Sequence, residues 1–392
     1  MQLQPEKSGP RFARVLPGWD LRGLPCSPYV IGALPGEGIG PEVVAASLSL
    51  LETIESASGH RFKVRSGGKI GLEAQQASGQ VLTEEVIRFC EAVFADHGAV
   101  FCGPGGGRFV YELRRRFDLY CKMAPLQPIA ALRDTGVLRP EAVDAIDILV
   151  VRENVSGLYH GKFGFEQHGE QRRAFQHFHY DDDEVARILV VARDAARLRR
   201  KRVCVVTKPG GAPSISRLWQ EQAERVMAGT DIETRLLNVD TACYQLIADA
   251  RSFDVVVAPN MFGDVLADVA ALLLGSRGMS SSANFGDGGL AVYQTGHGAA
   301  YDLVGQNRAN PVGQILALAT MLHESFGLEQ LGMQVRGAVS ETLASGWRTA
   351  DIMAPGCREV GTRQLVADIN ERLYERLRAV ATQRVAEQAI GQ

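Results

Sequence analysis

Phe253-Asp-Val-Val-Val-Ala-Pro-Asn260-Met-Phe-Gly-Asp264-Val-Leu-Ala-Asp268-Val-Ala-Ala-Leu-Leu-Leu-Gly275-Ser-Arg-Gly-Met279 is the stretch whose reading decides the fold. Val255, Val256 and Val257 form a β-branched run of the kind that fills a buried parallel strand. Asn260 is a fitting N-cap for a mostly apolar helix that runs on to a C-cap at Gly275. A strand turning straight into a helix marks an α/β chain. Asp264 and Asp268 stand four residues apart, one turn above each other on the same helix face. Like charges at that spacing repel unless they are solvated or share a cation. They are the helix's only charges, set among Val265, Leu266, Val269 and Leu272, and this favours a metal or a cationic partner over a solvated face.

The length of 392 residues allows a large core and two or three domains. A net charge of −3 gives no reason to expect nucleic acid or an anionic membrane as a partner. The seven cysteines are scattered, odd in number and without a Cys-x-x-Cys pair. That pattern argues for reduced thiols in a cytoplasmic enzyme and against a zinc site. No apolar run reaches the length of a membrane span, and residues 1–28 read as a flexible N-terminal extension without the apolar core of a secretory signal.

Outward from the central stretch, several apolar strands end in chemically useful residues. Tyr29–Leu34 leads into Pro35-Gly36-Glu-Gly38-Ile-Gly40-Pro41-Glu42 and a periodic helix. The dinucleotide fingerprint of a Rossmann fold fails here, because Pro41 stands where the third glycine belongs; instead it fixes the helix start. Residues 99–102 read as a strand entering the glycine cluster 103–107 and a basic run from Arg108 to Arg116. Residues 147–151 read as a strand followed by Arg152-Glu-Asn-Val-Ser-Gly-Leu-Tyr159, charged and phenolic groups where open α/β sheets bind ligands. Residues 163–180, with His177 and His179 but no third ligand in view, read as an exposed β-arm. Lys208 closes the strand 203–206, where partial burial would fit it for base work, and Asp240 ends another strand.

Four ordered motifs together carry a resemblance: Gly36-Glu-Gly-Ile-Gly-Pro-Glu42, Arg152 to Tyr159, Asn260 to Asp268, and His297-Gly-Ala-Ala-Tyr-Asp302 through Asn310-Pro311. From about residue 29 to 380 the chain resembles the isocitrate/isopropylmalate dehydrogenase family, the metal-dependent β-decarboxylating dehydrogenases. The resemblance implies a two-domain α/β fold, distinct from Rossmann, with its active site in the interdomain cleft. Residues 29–119 with 275–392 would form the large, cofactor-binding domain, and 120–274 the substrate, metal and dimerisation domain. It implies a homodimer with shared sites. Asp264 and Asp268 would hold Mg²⁺ or Mn²⁺ together with Asp240 of a second subunit. Lys208, also from that subunit, would take the substrate's hydroxyl proton, and Tyr159 would return a proton after carbon dioxide leaves. Arg114 and Arg152 would hold carboxylates. His297, Gly298, Ala300, Asp302 and Asn310 would line the cofactor's adenosine side. A carboxylate at Asp302 accepts bonds from free ribose hydroxyls and repels a 2′-phosphate, so the expected cofactor is NAD.

Three departures from the family pattern bear on the substrate. Lys122-Met-Ala124-Pro125 stands where the family usually has Asn-x-Arg-Pro, so one arginine is missing; Lys122 restores its charge but not its bidentate fork. Lys208 is followed by Pro-Gly-Gly rather than the usual polar pair. Arg108 occupies the substrate-selecting segment, where an added cation points to an acidic substituent. The expected activity is NAD- and Mg²⁺/Mn²⁺-dependent oxidative decarboxylation of a substituted malate. The alternatives are a tartrate- or malate-like dehydrogenase, an enzyme of specialised metabolism acting on an unusual malate such as a phosphono analogue, and a non-catalytic regulatory subunit. Retention of Tyr159, Lys208, Asp240, Asp264 and Asp268 speaks against the last.

Overall fold

The computed structural model describes residues 11–19 and 23–390, with 383–390 described by backbone alone. A ten-stranded mixed sheet runs through the molecule in the order Phe62–Ser66, Tyr29–Leu34, Ala99–Cys102, Ala291–Thr295, Ser281–Phe285, Cys121–Leu126, Ile148–Glu153, Val255–Ala258, Arg202–Thr207, Glu233–Asn238. The first four strands are mutually parallel, as are the last four, while Ser281–Phe285 and Cys121–Leu126 pair antiparallel to their neighbours. The two parallel blocks therefore point in opposite directions, joined by a two-strand antiparallel seam. The first block belongs to the proposed cofactor domain and the last to the proposed substrate domain.

The inner strands of each block are buried by helices, as parallel strands require, while the edge strands Phe62–Ser66 and Glu233–Asn238 are partly exposed. Val255–Ala258 and Ala99–Cys102 are buried at every position. Asp182–Arg197 packs on the substrate block and starts with a capping box between Asp181 and Glu184. Val312–Glu324 lies against the seam and is buried at all but two of its thirteen positions, so its hydrophobicity serves a central core rather than one face. The arm 162–177 is an exposed hairpin, Lys162–His168 paired with Gln171–His177. All seven cysteines are free, and among the described residues no helix is long and apolar enough to cross a membrane.

Three expectations need correction. The segment read as a flexible extension is docked along residues 11–19. Ala13, Leu16 and Trp19 are buried in the main core, and Trp19 meets Phe285 edge-on with centroids 5.3 Å apart. Glu324, fully buried at the end of Val312–Glu324, accepts the Ala13 N–H at 2.9 Å, and Arg11 donates to the Glu324 carbonyl. Three apolar anchors and a buried acceptor offset the ordering cost of so short a piece. Residues 1–10 and 20–22 lie outside the described residues. Second, Asp240 does not end a strand but sits in the first turn of the helix Val239–Ala248, where a carboxylate suits the helix dipole. Third, the helix carrying Asp264 and Asp268 runs Asn260–Ala270 with Pro259 as its N-cap; Gly275, at φ 86°, caps a 3₁₀ continuation over Ala271–Leu274.

Candidate active site

Strand register creates the first part of the site. Lys122 pairs with Arg152 on one side and Asn284 on the other, so three polar side chains stand abreast on one face of the seam. Arg114 reaches them from the last turn of the helix Phe109–Arg116. Arg152 is only 2 % exposed, and its guanidinium is fixed from two directions. Asn260 accepts from its Nε at 3.1 Å and from its Nη2 at 2.7 Å, while Nη1 donates to Asp264. Asn260 in turn donates to the Ser156 carbonyl at 3.0 Å, and its own N–H is received by the Tyr180 hydroxyl at 2.9 Å. It therefore does not cap its helix; it orients Arg152 and the loop after it. Gly263 is needed for this approach, because a Cβ there would lie 2.8 Å from Arg152 Cγ.

Tyr159 completes the group by donating to Asp264 Oδ2 at 3.0 Å. Burial, and then the Asp264 charge, push the Tyr159 phenol up to about 12, so it carries its proton at neutral pH. Burial alone would raise Asp264, but Arg152, Lys122, the Tyr159 hydrogen bond and Arg114 outweigh it and hold the carboxyl below its ordinary range. The cations show the opposite strain. Burial, then the charges of Arg114 and Arg152, press Lys122 well below the usual lysine value. The same burial and the Arg152 charge pull Arg114 down to about 9. Arg114 is 4 % exposed and its Nε has no hydrogen-bond partner. Three under-neutralised cations with an orphaned donor fit a ligand that brings carboxylates.

The remaining residues fall into separate groups. Asp268 is about half exposed and pairs with Arg277 at 3.1 Å. Lys208 and Asp240 pair with each other at 2.8 Å, and that hydrogen bond, then a backbone N–H, lowers the Asp240 pKa. Asp240 does not join Asp264 and Asp268: among the described residues no three His, Cys, Asp or Glu side chains are grouped to hold one metal ion. Arg108 lies beside Tyr159. Its Nη2 donates to the Tyr159 carbonyl at 2.9 Å, and its guanidinium lies 5.4 Å from the Tyr111 ring centre and 4.9 Å from that of Phe163 on the arm. His160 stays neutral, burial holding it down at about 4.

A cavity of about 600 Å³ is lined by Ile39, Arg277, His297, Gly298, Ala300, Asn310 and Asp351, among others. Gly38 carries the glycine-rich turn past this loop, since a Cβ there would fall 2.0 Å from the Ala299 carbonyl, which accepts the Ile39 N–H at 2.8 Å. Ala300 holds φ 40°, so the loop is locally strained. His297 Nε2 is buried without a partner, and burial lowers its pKa. Asn310 donates to Asp351 at 3.0 Å and caps Val312 at 3.0 Å. Asp302 is exposed on the turn Tyr301–Leu303, whose Leu303 lines the cavity. Tyr111, Arg277 and Asp351 were not singled out from sequence, and Asn260 only as a helix cap; of the three, only Arg277, a cation inside an otherwise apolar and glycine-rich stretch, left a signal there.

The family model for isocitrate/isopropylmalate dehydrogenase matches residues 30–369. The chain belongs to this family. Its members are decarboxylating oxidoreductases that act on hydroxy acids. The chain is 38% identical over 357 residues to 3-isopropylmalate dehydrogenase of Oleidesulfovibrio alaskensis, covering 87% of this chain and 98% of that enzyme. It is 36% identical over 370 residues to the Aquifex aeolicus 3-isopropylmalate dehydrogenase, covering 90% and 99%. The crystal structure of isocitrate dehydrogenase from Methylococcus capsulatus superposes with a TM-score of 0.78 at 29% identity, covering 88% of this chain and 99% of that one. The fold is therefore the isocitrate dehydrogenase type that the four motifs implied.

Proposed function

We propose that this dehydrogenase carries out NAD- and Mg²⁺/Mn²⁺-dependent oxidative decarboxylation of a substituted malate of the isocitrate/3-isopropylmalate type. The observation that carries the reading is the convergence of Arg114, Lys122 and Arg152 on Asp264 and Tyr159. Cations with unmet hydrogen-bonding capacity receive the substrate's carboxylates beside a carboxylate and a protonated phenol. Asp264 and Asp268, with Asp240 of a second copy, offer hard oxygen donors that suit Mg²⁺ or Mn²⁺, and both are accessible to an ion. When bound, the divalent cation would acidify the substrate hydroxyl and stabilise the charge left by departing carbon dioxide, and NAD would accept the hydride.

The chain's own groups then have definite tasks. Lys208 of the second copy would receive the hydroxyl proton, and its pairing with Asp240 keeps base and carboxylate together as a unit to be delivered across a dimer. Arg152, clamped by Asn260, would orient one carboxylate with a bidentate fork. Lys122 would supply charge without such a fork. Tyr159, protonated and adjacent to Asp264, would donate a proton to the carbon that lost carbon dioxide. His297, Gly298, Ala300 and Asn310 would face the adenosine, with Asp302 at the rim favouring free ribose hydroxyls. Arg108 is taken up by two rings and a carbonyl, so it lends less support to a third acidic substituent than its sequence position suggested.

A screen of NADH formation with Mn²⁺ over isocitrate, 3-isopropylmalate, homoisocitrate, tartrate, malate and phosphono analogues tests this reading. Turnover with carbon dioxide release on one substituted malate supports it. NADH formation without carbon dioxide, on malate or tartrate alone, would replace decarboxylation by simple oxidation.

A further inference from the structure

Arg277 stands at the junction of the two halves of the site. It opens the short turn Arg277–Met279, held by Ser276, whose hydroxyl accepts the Gly278 N–H at 3.0 Å. On one side its guanidinium pairs with Asp268 Oδ1 at 3.1 Å. On the other it lines the cavity shared by His297, Gly298, Asn310 and Asp351. Its charge also reaches His297, where it adds to the effect of burial in lowering the imidazole's pKa.

Both partners in the Arg277–Asp268 pair are more than half exposed, 58% and 53% of their side chains. Exposed pairs of this kind contribute little to stability and exchange readily. Asp268 is also a carboxylate that, on the function proposed above, a divalent cation must take. A doubly charged ion outcompetes a guanidinium for that oxygen and repels it at the same time. The released guanidinium remains tethered to a turn beside the cavity, where a planar cation pairs well with phosphate oxygens.

We propose that Arg277 couples the metal site to the cofactor cavity: it neutralises Asp268 until a divalent cation takes that carboxylate, and its guanidinium then engages the diphosphate of the dinucleotide. This rests on the reading of Asp264 and Asp268 as metal ligands and of the cavity as the NAD site. Metal and NAD then bind with positive linkage, each tightening the other by the same factor. Removing Arg277 has two opposite effects, stronger metal binding to the free enzyme and weaker NAD binding to the metal-loaded one.

The test is titration calorimetry of full-length protein with Mn²⁺ alone, NAD alone, and NAD at saturating Mn²⁺. Wild type, Arg277→Ala, Arg277→Lys and Asp268→Asn are compared. Wild type is expected to bind NAD about tenfold more tightly with Mn²⁺ than without, within the usual range of such couplings. Arg277→Ala should bind Mn²⁺ more tightly than wild type and lose most of that tenfold factor, with Arg277→Lys retaining part of it. An unchanged factor in Arg277→Ala, or none in wild type, overturns the coupling while leaving the proposed function in place. If Asp268→Asn binds Mn²⁺ as wild type does, the metal reading falls and the coupling with it.

Discussion

Arg152 and Arg277 both pair with an aspartate of the helix Asn260–Ala270, one turn apart, yet they are held in opposite ways. Arg152 is nearly sealed from water and makes three side-chain hydrogen bonds, two to Asn260 and one to Asp264. Arg277 makes one ion pair at 3.1 Å from an open surface. The difference teaches what each end of the site is built for. Desolvated charges in fixed positions recognise a small anion by geometry, and they do so only because Asn260, Tyr159 and Asp264 determine their orientation beforehand. A solvated pair has little geometric precision, but it can be exchanged for another partner at small cost.

Stability measurements can break this comparison. Arg152→Ala leaves the buried Asn260 side-chain carbonyl without its donors, a loss of roughly 1–3 kcal/mol for an unsatisfied buried acceptor. Arg277→Ala should change stability by less than about 1 kcal/mol. Urea unfolding of the two variants reads both values, and equal losses would mean that the two arginines are not held differently.

Lys122 sharpens the comparison from the substrate side. Lys122→Ala should raise KM for the dicarboxylate about tenfold, the worth of one charge-assisted hydrogen bond. Its pKa is pressed well below the lysine value by burial and by Arg114 and Arg152, so the protonated form is lost at lower pH than in an ordinary lysine. KM should therefore climb with rising pH, and at lower pH than an ordinary lysine would cause, and Lys122→Arg should move that climb to higher pH because a guanidinium keeps its proton. A KM that is flat with pH in wild type, or unaffected by Lys122→Ala, would remove Lys122 from the substrate site.

A further effect lies far from the chemistry. Burial raises the Glu324 carboxyl to about 7 from an ordinary value of 4.5, despite the N–H groups of Ala13 and Phe12. The folded state then binds this proton more tightly than the unfolded one, so stability should fall as pH rises from about 4.5 through about 7. Glu324→Gln stays neutral and should flatten that decline, as read by Tm at pH 5 and pH 7. The flattening is partial because Glu153, also buried and raised to about 7, contributes in the same direction.

Local chemistry explains which parts of the molecule were readable from sequence. Apolar strands bounded by glycine or proline, such as Ala99–Cys102 before Gly103, fell where their patterns put them. So did the exposed hairpin 162–177. Asp264, Arg152 and Tyr159 could be expected together because two separate motifs, Arg152 to Tyr159 and Asn260 to Asp268, pointed to one reaction. The docking of residues 11–19 could not be read, because it depends on a buried acceptor more than three hundred residues away. Asn260 was misread for a related reason: an asparagine before a helix looks like a cap, and only tertiary contact with Arg152 shows that its side chain is used elsewhere. The contacts of Arg108 with Tyr111, Phe163 and the Tyr159 carbonyl were likewise not readable, because its own neighbourhood in sequence does not identify them as a set.

The measurement closest to the central claim is NADH formation by Asp268→Asn across a Mn²⁺ titration, with the preferred hydroxy acid from the screen. Asp268 is exposed and makes one ion pair, so the variant should fold with the Tm of wild type. Its turnover should be abolished at every Mn²⁺ concentration while the fold is intact. A folded Asp268→Asn that keeps full Mn²⁺-dependent activity would contradict the assignment of this helix as the metal-binding heart of the enzyme.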